Sequence, residues 1–343
     1  MKKEYTIYDI ANELKLSPAT VSRGLKDHPA ISEGTKKRIV EYAQKVGYQA
    51  NKFATALRKQ QTNTIGVIVP KLDSQFMSSA LAGMEKVANL AGYNLIISQS
   101  LEMASKEKRN AEIMFDSRVD GLIVSLAFDT VDTSHFKPFI KKGIPVILFD
   151  RIDNELPVPS IVIDNFEAGY QATKHLIEQG CKKIVHVTGN TLRNVYHDRL
   201  EGYKKAIHDA GVFWDESLVL HTRLDIQAGV DAADTVLAMK PMPDGIFVAN
   251  DLCASIVIKN LKLRGIKIPE QIAIVGFNND PIANIVEPNL TSIDYPSRLM
   301  GETAVKQLLE LLPGRLKTSS QSKTLIESEL IVRQSSLKKS GNN

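Results

Sequence analysis

The stretch "LSPATVSRGL", residues 16–25, predicts a short helix that begins clearly but has little to bury. Ser17 is a favourable N-cap residue, and Pro18 suits the first helical position because its missing N–H would have no partner there. The next turn offers only Val21 and Leu25 as apolar residues, among small and polar ones. Such a helix is either a capped surface helix or one whose small polar face contacts another molecule.

Two further helices are predicted around this stretch. The first begins near Thr6, an N-cap candidate with Asp9 three residues further on, and continues through Leu14. The third begins at Ser32 and carries apolar residues at helical spacing up to Gly47, a C′ candidate. The first two helices are separated by only about three residues, which is the spacing of a helix-turn-helix.

In a helix-turn-helix, the second helix presents its first turn to base edges in the major groove, where small side chains allow close approach. The helix N-terminus also attracts a phosphate. Hydroxyl groups of Ser17, Thr20 and Ser22 can donate to phosphates or bases. Arg23 can reach a guanine edge with two hydrogen bonds.

Positive charge is concentrated at the N-terminal end of the chain. Residues 1–61 contain twelve Lys/Arg and six Asp/Glu, a net charge of +6, whereas the whole chain carries +4, so residues 62–343 carry −2. A Lys-rich solvated surface and a phosphate-binding face both explain such a basic segment. The two cysteines show no CxxC spacing, and no run of about 18 apolar residues occurs. We therefore expect reduced thiols, a cytoplasmic protein and no membrane span.

Residues 62–333 alternate apolar runs, such as "IGVIVP", "DGLIVSL" and "IAIVGFN", with amphipathic stretches that start near residues 78, 106, 168, 199, 227 and 254. This alternation predicts parallel sheets of the doubly wound type. About eight strands fall into two similar sets, so we expect an α/β body of two subdomains. We place the first at about 62–162 and 294–322, and the second at about 163–293 and 323–333. Residues 334–343 are expected to be a disordered tail.

In doubly wound sheets, ligands bind at the carboxyl ends of the strands. Polar residues and one aromatic residue, Phe76, follow the predicted strands, which suits a small polar ligand. Each of these polar residues could instead be a helix cap or a bond between the subdomains.

The segments "TIYDIANELKLSPATVSRGL", residues 6–25, and "GYQANKFATALR", residues 47–58, resemble the headpiece of the LacI/GalR family of bacterial transcription regulators. The body resembles that family's periplasmic-binding-protein-like effector domain. The resemblance implies an all-α helix-turn-helix headpiece at 1–48, a hinge helix and linker at 49–61, and an effector-binding and dimerisation domain at 62–333. It also implies a homodimer on a near-palindromic double-stranded DNA operator, with a small-molecule effector, a carbohydrate or its derivative, as the second partner.

The resemblance assigns residues to both sites. The family's DNA-contacting positions fall on Thr6, Tyr8, Ser17, Pro18, Ala19, Thr20, Ser22, Arg23, Lys26, Ser32, Thr35, Tyr48, Asn51, Ala54 and Leu57. The family's effector contacts fall on Phe76, Asp150, Arg193, Arg199, Leu224, Asn250 and Asn278. The hinge of about nine residues is too short to hold a helix in water, so it is expected to fold on DNA, with Leu57 wedged into a base step.

Three departures from the family pattern refine these expectations. Lys15 stands at the usual turn glycine, so we expect it in the left-handed conformation with slight strain. Base-reading positions fall on Pro18 and Ala19, which leaves Arg23 as the main discriminator. Leu224 stands where relatives often stack an aromatic residue, and Val195 replaces a hydrogen-bonding side chain, so the sequence predicts no particular sugar.

Two other function classes are weighed against this one. An enzyme is disfavoured because the sequence has no GxGxxG, GxxxxGK, HExxH or GxSxG motif, and its seven histidines lack metal-ligand spacing. We therefore expect no catalytic residue, no metal and no cofactor. A free-standing sugar-binding protein would fit the body but not the basic headpiece. The sequence predicts a ligand-controlled, DNA-binding transcriptional regulator, with a repressor as the first expectation.

Overall fold

The computed structural model describes residues 5–48, 61–312 and 322–338. Within it the chain forms two compact units, Met1–Thr62 and Asn63–Asn343. The predicted hinge residues Asn51, Ala54 and Leu57 lie outside the described residues. No helix in the described ranges is both long and apolar enough to cross a membrane.

Three helices form the N-terminal unit: α1 (Ile7–Leu14), α2 (Pro18–Gly24) and α3 (Glu33–Lys45). All three predicted N-cap positions are confirmed. Thr6 closes a capping box with Asp9, and the Ser17 hydroxyl accepts the N–H of Thr20 at 3.0 Å. Ser32 occupies the N-cap of α3 without a side-chain cap bond. These local bonds explain why the helix starts could be predicted from sequence.

The turn between α1 and α2 places Lys15 in the left-handed conformation, with φ 54° and ψ 42°, as predicted. This conformation costs a non-glycine residue about 1–2 kcal/mol. Gly24 of α2 packs so closely on α3 that an added Cβ would come within 2.4 Å of the Ile39 side chain. Helices α1, α2 and α3 therefore enclose a small core. Its fully packed members are Ile10, Ala11, Val21, Ile39 and Ala43.

Two six-stranded sheets form the described part of the body. The strands are β1 (Thr64–Val69), β2 (Asn94–Gln99), β3 (Gly121–Val124), β4 (Val146–Phe149), β5 (Ser160–Ile163), β6 (Ile184–Thr188), β7 (Val219–His221), β8 (Gly245–Val248), β9 (Ala273–Asn278), β10 (Thr291–Asp294), β11 (Lys323–Ile326) and β12 (Glu329–Ile331). The first sheet has the order β11-β5-β4-β3-β1-β2 and the second β12-β10-β9-β8-β6-β7. All pairs are parallel except β10 with β12. The prediction of two doubly wound parallel sheets is confirmed.

Helices connect the parallel strands. They are α4 (Gln75–Leu90), α5 (Ala104–Asp116), α6 (Lys137–Lys141), α7 (Asn165–Glu178), α8 (Asn194–Asp209), α9 (Ile226–Ala238), α10 (Asp251–Leu263) and α11 (Ser297–Leu311). Six of these correspond to the predicted amphipathic stretches, and each begins one to five residues earlier than predicted. Polar capping residues explain part of the difference, because they allow a helix to begin before its first apolar residues. The Ser74 side chain accepts the Met77 N–H at the start of α4, and the Asn250 side chain accepts the Cys253 N–H at the start of α10.

Two boundaries of the body differ from the sequence prediction. The sequence pattern predicts residues 323–333 in the second subdomain, but β11 pairs in parallel with β5 of the first sheet, so only β12 lies in the second. The chain therefore passes between the sheets three times, after β5, after β10 and between β11 and β12. The expected number of about eight strands is also too low, since the described part of the body contains twelve, including the short strands β5, β7 and β10.

The start of the predicted disordered tail is ordered. Ser335 and Ser336 are fully buried. The Ser335 hydroxyl donates to the Ile274 carbonyl at 2.6 Å, and the Ser336 hydroxyl lies 2.6 Å from that of Thr291 and 2.7 Å from Nε2 of His175. These small polar residues pair with groups of the second sheet, and such distant pairing leaves no local signal in the sequence.

Candidate functional site

The start of α2 is the exposed part of the helix-turn-helix. Pro18 and Ala19 are exposed, as is Arg23 in the last turn. The hydroxyls of Ser17 and Thr20 lie 2.8 Å apart and hydrogen-bond to each other. Because Ser17 also takes the Thr20 N–H and Pro18 has none, the Ala19 N–H is the group of this turn best placed for a phosphate.

The basic residues of the headpiece are not equivalent. The Lys36 ammonium contacts Asp27 and Glu33, each at 2.7 Å, and its side chain is only 12% exposed. The hydrogen bond from Lys36 lowers the pKa of Asp27, and the same bond raises the pKa of Lys36. Lys36 therefore ties α3 to the preceding loop, whereas Lys26 is exposed and free of that role.

The other predicted DNA contacts of the headpiece have distinct surroundings. Tyr8 is 67% exposed on α1. The Thr6 hydroxyl is engaged with Asp9 in the capping box, and the hydroxyls of Ser32 and Thr35 lie 2.9 Å apart. Tyr48 packs against the headpiece core. Their contacts with DNA remain predictions.

The predicted effector residues lie around the facing carboxyl ends of the two sheets. Asp150 follows β4 and is buried, accepting hydrogen bonds from Ser125 at 3.1 Å and from the Tyr295 hydroxyl at 2.9 Å. Burial raises the pKa of Asp150, opposed by the neighbouring arginines. The Tyr295 ring lies 4.5 Å from that of Phe76 at the start of α4. Asp150 and Phe76 are thus brought together, through a tyrosine that the sequence analysis did not select.

Arg199 lies in the second turn of α8 and is 3% exposed. Its Nε donates to Asn165 at 2.9 Å and its Nη1 donates to the Ala249 carbonyl at 3.1 Å. The guanidinium lies 3.5 Å from the centroid of the Phe277 ring, a cation–π contact. Burial lowers the pKa of this guanidinium. These contacts with Asn165, Ala249 and Phe277 fix the Arg199 side chain beside the cleft.

Arg151 lies at one of the strand ends that the sequence singles out, but it is not among the predicted effector contacts. Its Nη1 donates to Glu102 at 2.7 Å, and its Nη2 donates to the Tyr196 hydroxyl at 3.2 Å. The guanidinium lies 4.4 Å from the centroid of the Phe128 ring. The signal available in the sequence was its position directly after Asp150, at the end of a strand. Its partners come from distant segments, so the sequence alone could not identify them.

Direct hydrogen bonds join the two subdomains around Arg151. The Asn194 side chain donates to the Asp150 carbonyl at 3.1 Å and accepts the Ile152 N–H at 2.9 Å. Arg193 donates through Nη2 to the Thr130 carbonyl, while its buried Nε has no partner among the described residues. Arg193 also lines a cavity of about 320 Å³ between the subdomains.

The remaining three predicted effector residues lie in different surroundings. Both ends of the Asn250 amide are used, since it accepts the Cys253 N–H and donates to the Leu224 carbonyl, each at 2.8 Å. Leu224 is buried in the core of the second subdomain. Asn278 lines a separate cavity of about 440 Å³ and lies 3.4 Å from the Asp280 carboxylate. Asn250 therefore matches the helix-cap alternative.

No cluster of three or more His, Cys, Asp or Glu side chains in the described ranges is arranged to hold a metal ion. The geometry instead combines a helix-turn-helix with an exposed reading helix and a two-sheet body with a polar cleft. These two features define a DNA-binding protein with a ligand-binding type of body.

Comparisons with known proteins agree with this class. Residues 6–51 match the family described as "Bacterial regulatory proteins, lacI family", and residues 173–336 match the "Periplasmic binding protein-like domain". Catabolite control protein A of Priestia megaterium is 31% identical over 92% of this chain and 95% of its own length. The HTH-type transcriptional repressor PurR of Photobacterium profundum is 30% identical over 96% and 98%.

Solved structures show the same architecture. A complex of the transcriptional regulator CelR with cellobiose is 25% identical, with a TM-score of 0.73 over 97% of this chain and 100% of that chain. A lac repressor dimer bound to operator and an anti-inducer is 22% identical, with a TM-score of 0.86 over 98% and 100%, and shares the fold. The chain belongs to the lacI family of bacterial regulatory proteins. It is a DNA-binding transcriptional regulator.

Proposed function

We propose that this regulator is a repressor that binds a near-palindromic operator as a homodimer and releases or holds it according to a small ligand in the cleft of the body. The observation that carries the DNA-binding half is the exposed start of α2, fixed by the Ser17 cap and followed by the exposed Arg23. Two headpieces of a dimer would read half-sites one helical turn apart.

The headpiece residues divide by role. Arg23 reads a guanine edge, and Pro18 and Ala19 contribute apolar contact to neighbouring bases. Thr6, Tyr8, Lys26, Ser32, Thr35 and Tyr48 position the unit on the phosphate backbone, together with Ser17, Thr20 and Ser22. In the hinge, Asn51, Ala54 and Leu57 enter the minor groove, where Leu57 kinks the duplex.

The cleft binds a carbohydrate or carbohydrate derivative. Its hydrogen-bonding side chains and its aromatic residues, including Phe76 and Tyr295, suit a polar ring with apolar faces. The related CelR was solved with cellobiose. A ligand that binds the open and closed cleft differently shifts the equilibrium between them, and so changes operator affinity by linkage.

Binding of a chromosomal operator places the protein in the cytoplasm. No reaction is proposed for the cleft.

The direct test is selection of duplexes from a randomised DNA pool by the full-length protein at about 150 mM salt. We expect enrichment of a site with two inverted half-sites, bound at least about a thousandfold more tightly than random sequence. A pool that stays random after repeated selection, with and without a carbohydrate panel, contradicts the proposal. Analytical ultracentrifugation of the complex tests the homodimer separately.

A further inference from the structure

The exposed face of α2 changes its chemistry along the helix. Ala19, Ser22 and Arg23 are spaced as i, i+3 and i+4, so they lie on one side of the helix. Ala19 and Arg23 are exposed and Ser22 is half-buried, whereas Val21 and Gly24 on the opposite side are buried. The exposed face therefore begins with a methyl group and ends with a guanidinium group.

The hydroxyl groups of the first turn are engaged with each other. The Ser17 hydroxyl accepts the Thr20 N–H at 3.0 Å and lies 2.8 Å from the Thr20 hydroxyl. Because this contact uses one of the two hydroxyl hydrogens, a single one is left for another acceptor. Pro18 and Ala19 lie between these two residues, and both are exposed. The exposed side-chain atoms of Pro18 and Ala19 are all carbon.

A carbon surface discriminates among bases in one way in the major groove. Every base pair presents hydrogen-bonding nitrogen or oxygen atoms there, and thymine adds a C5 methyl group. Carbon placed against the polar atoms removes their water without replacing its hydrogen bonds, which is unfavourable. Carbon placed against the thymine methyl group buries apolar area on both partners, which is favourable. A helix face that begins with Pro18 and Ala19 therefore favours thymine.

The length of the helix limits the distance between this thymine and the guanine that we assign to Arg23. Four residue steps separate Ala19 from Arg23, which is about 6 Å along a helix axis. Successive base pairs are about 3.4 Å apart. Because the arginine side chain adds further reach, we expect the two bases within about three base pairs of each other.

We propose that Pro18 and Ala19 read the C5 methyl group of one thymine in each half-site, close to the guanine read by Arg23. This inference rests on the proposed function, because it names the chemical group that α2 recognises in the operator. Specificity is divided between a methyl contact at the start of the exposed face and two hydrogen bonds at its end. The alternative role of Ala19 is its small size alone, which lets the backbone approach a phosphate.

Replacement of thymine by deoxyuridine tests the methyl contact directly. Full-length protein is titrated with the selected operator, in which each thymine is replaced in both half-sites at once. The replacement removes the methyl group and keeps base pairing and every hydrogen-bonding atom. We expect one symmetric pair of thymines to lose about fifteenfold in affinity, about fourfold per half-site, because burial of a methyl-sized group contributes about that factor. The other thymines should change affinity less than about twofold.

Variants of the protein assign this contact to Ala19. In Ala19→Gly, the preference for thymine over deoxyuridine at the sensitive position is expected to fall below about twofold. The matched control Ala30→Gly changes another exposed alanine of the same unit and is expected to keep the full preference. Each preference is a ratio measured within one protein, so a lower folded fraction caused by the added glycine affects both duplexes equally.

Two results would overturn the inference. One is a selected operator in which no replacement by deoxyuridine weakens binding beyond about twofold. The other is an equal thymine preference in wild type and Ala19→Gly, which would mean that the methyl group acts through another contact or through DNA shape. Both results still include a selected operator, whereas failure of the proposed function yields none, so the two failures are distinguishable.

Discussion

The arginines of the headpiece and those of the cleft have opposite surroundings. Arg23 and Arg38 of the headpiece are exposed, whereas Arg151, Arg193 and Arg199 of the body are almost fully buried. Exposed cations remain hydrated and are screened by salt, so they attract any phosphate backbone. Buried cations have lost their hydration, so they are stable only where the folded chain or a ligand supplies hydrogen-bond acceptors. The headpiece is suited to a repetitive polyanion, and the cleft to one small molecule.

The largest expected effect comes from removing a buried arginine. Arg199→Ala takes away the cation–π contact with Phe277 and leaves the acceptors of Asn165 and Ala249 unpaired. We expect the free energy of unfolding of the body to fall by about 2–5 kcal/mol, because each buried acceptor left unpaired costs about 1–3 kcal/mol. Urea denaturation followed by Trp214 fluorescence measures it. The matched exposed variant Arg264→Ala should cost less than about 0.5 kcal/mol, and equal losses in the two variants would break the comparison.

Buried and exposed carboxyl groups should also differ in the sign of their pH dependence. Burial raises the pKa of Asp251 to about 8 from an ordinary 3.8, although Ser292 donates to it at 2.7 Å. The folded protein therefore binds this proton more tightly than the unfolded chain. Its contribution to stability is fully present below pH 3.8 and is lost as the pH rises through about 8. In the headpiece, the lowered pKa of Asp27 has the opposite consequence, a contribution lost on acidification.

The measurement is the unfolding midpoint of the body between pH 5 and pH 9. We expect it to decline toward the alkaline end in wild type and to decline less in Asp251→Asn, whatever the absolute stability of the variant. The Asp280 carboxyl, whose pKa burial raises to about 6, contributes a smaller decline that both proteins share. An identical slope in the two proteins would show that Asp251 does not titrate in this range.

Removing an exposed arginine should change recognition and leave stability alone. Arg23→Ala is expected to cost about 1–3 kcal/mol of discrimination at one base pair of each half-site, because the guanidinium can pair with a guanine edge. Anisotropy titrations with the selected operator and its single-base variants measure this loss. Unchanged relative affinities would remove Arg23 as the discriminator. Thermal unfolding of the variant should match that of wild type.

The smallest effect concerns the strained turn of the headpiece. Lys15→Gly relieves a left-handed lysine, with φ 54°, and the gain is partly offset by the greater freedom of glycine in the unfolded chain. We expect the headpiece to gain about 0.5–1 kcal/mol, measured by hydrogen exchange of residues 5–48. Glu13→Gly, two residues earlier in the last turn of α1, should instead cost about 1 kcal/mol. Loss of stability in both variants would show that Lys15 is not strained.

The helices, caps and turn of the headpiece could be predicted from its sequence almost completely. Thr6, Ser17 and Lys15 act on N–H and C=O groups only a few residues away, so their neighbours in the sequence are also their neighbours in space. The parallel sheets could be predicted as well, because burial on both faces makes strands apolar throughout.

The cleft could be predicted only in part. The positions of Asp150, Arg151, Arg193 and Arg199 follow from the ends of strands and starts of helices, but the sequence did not indicate that Arg151 would pair with Glu102 and Tyr196. Asn250, predicted as a ligand contact, has its amide occupied by a cap and a carbonyl. Which polar group remains open to a ligand depends on partners that the folded chain supplies.

The sequence by itself determined the helix caps, the left-handed turn, the alternation of strands and helices, and the separation of a basic unit from an acidic one. Tertiary structure alone decided that β11 joins the first sheet, that Ser335 and Ser336 are buried, and that Arg151 meets Glu102 and Tyr196. The physical reason is the separation along the chain between the residues that interact. Capping and periodicity depend on residues within one or two turns, whereas the partner of a buried polar group is chosen among segments that meet only after the chain has folded.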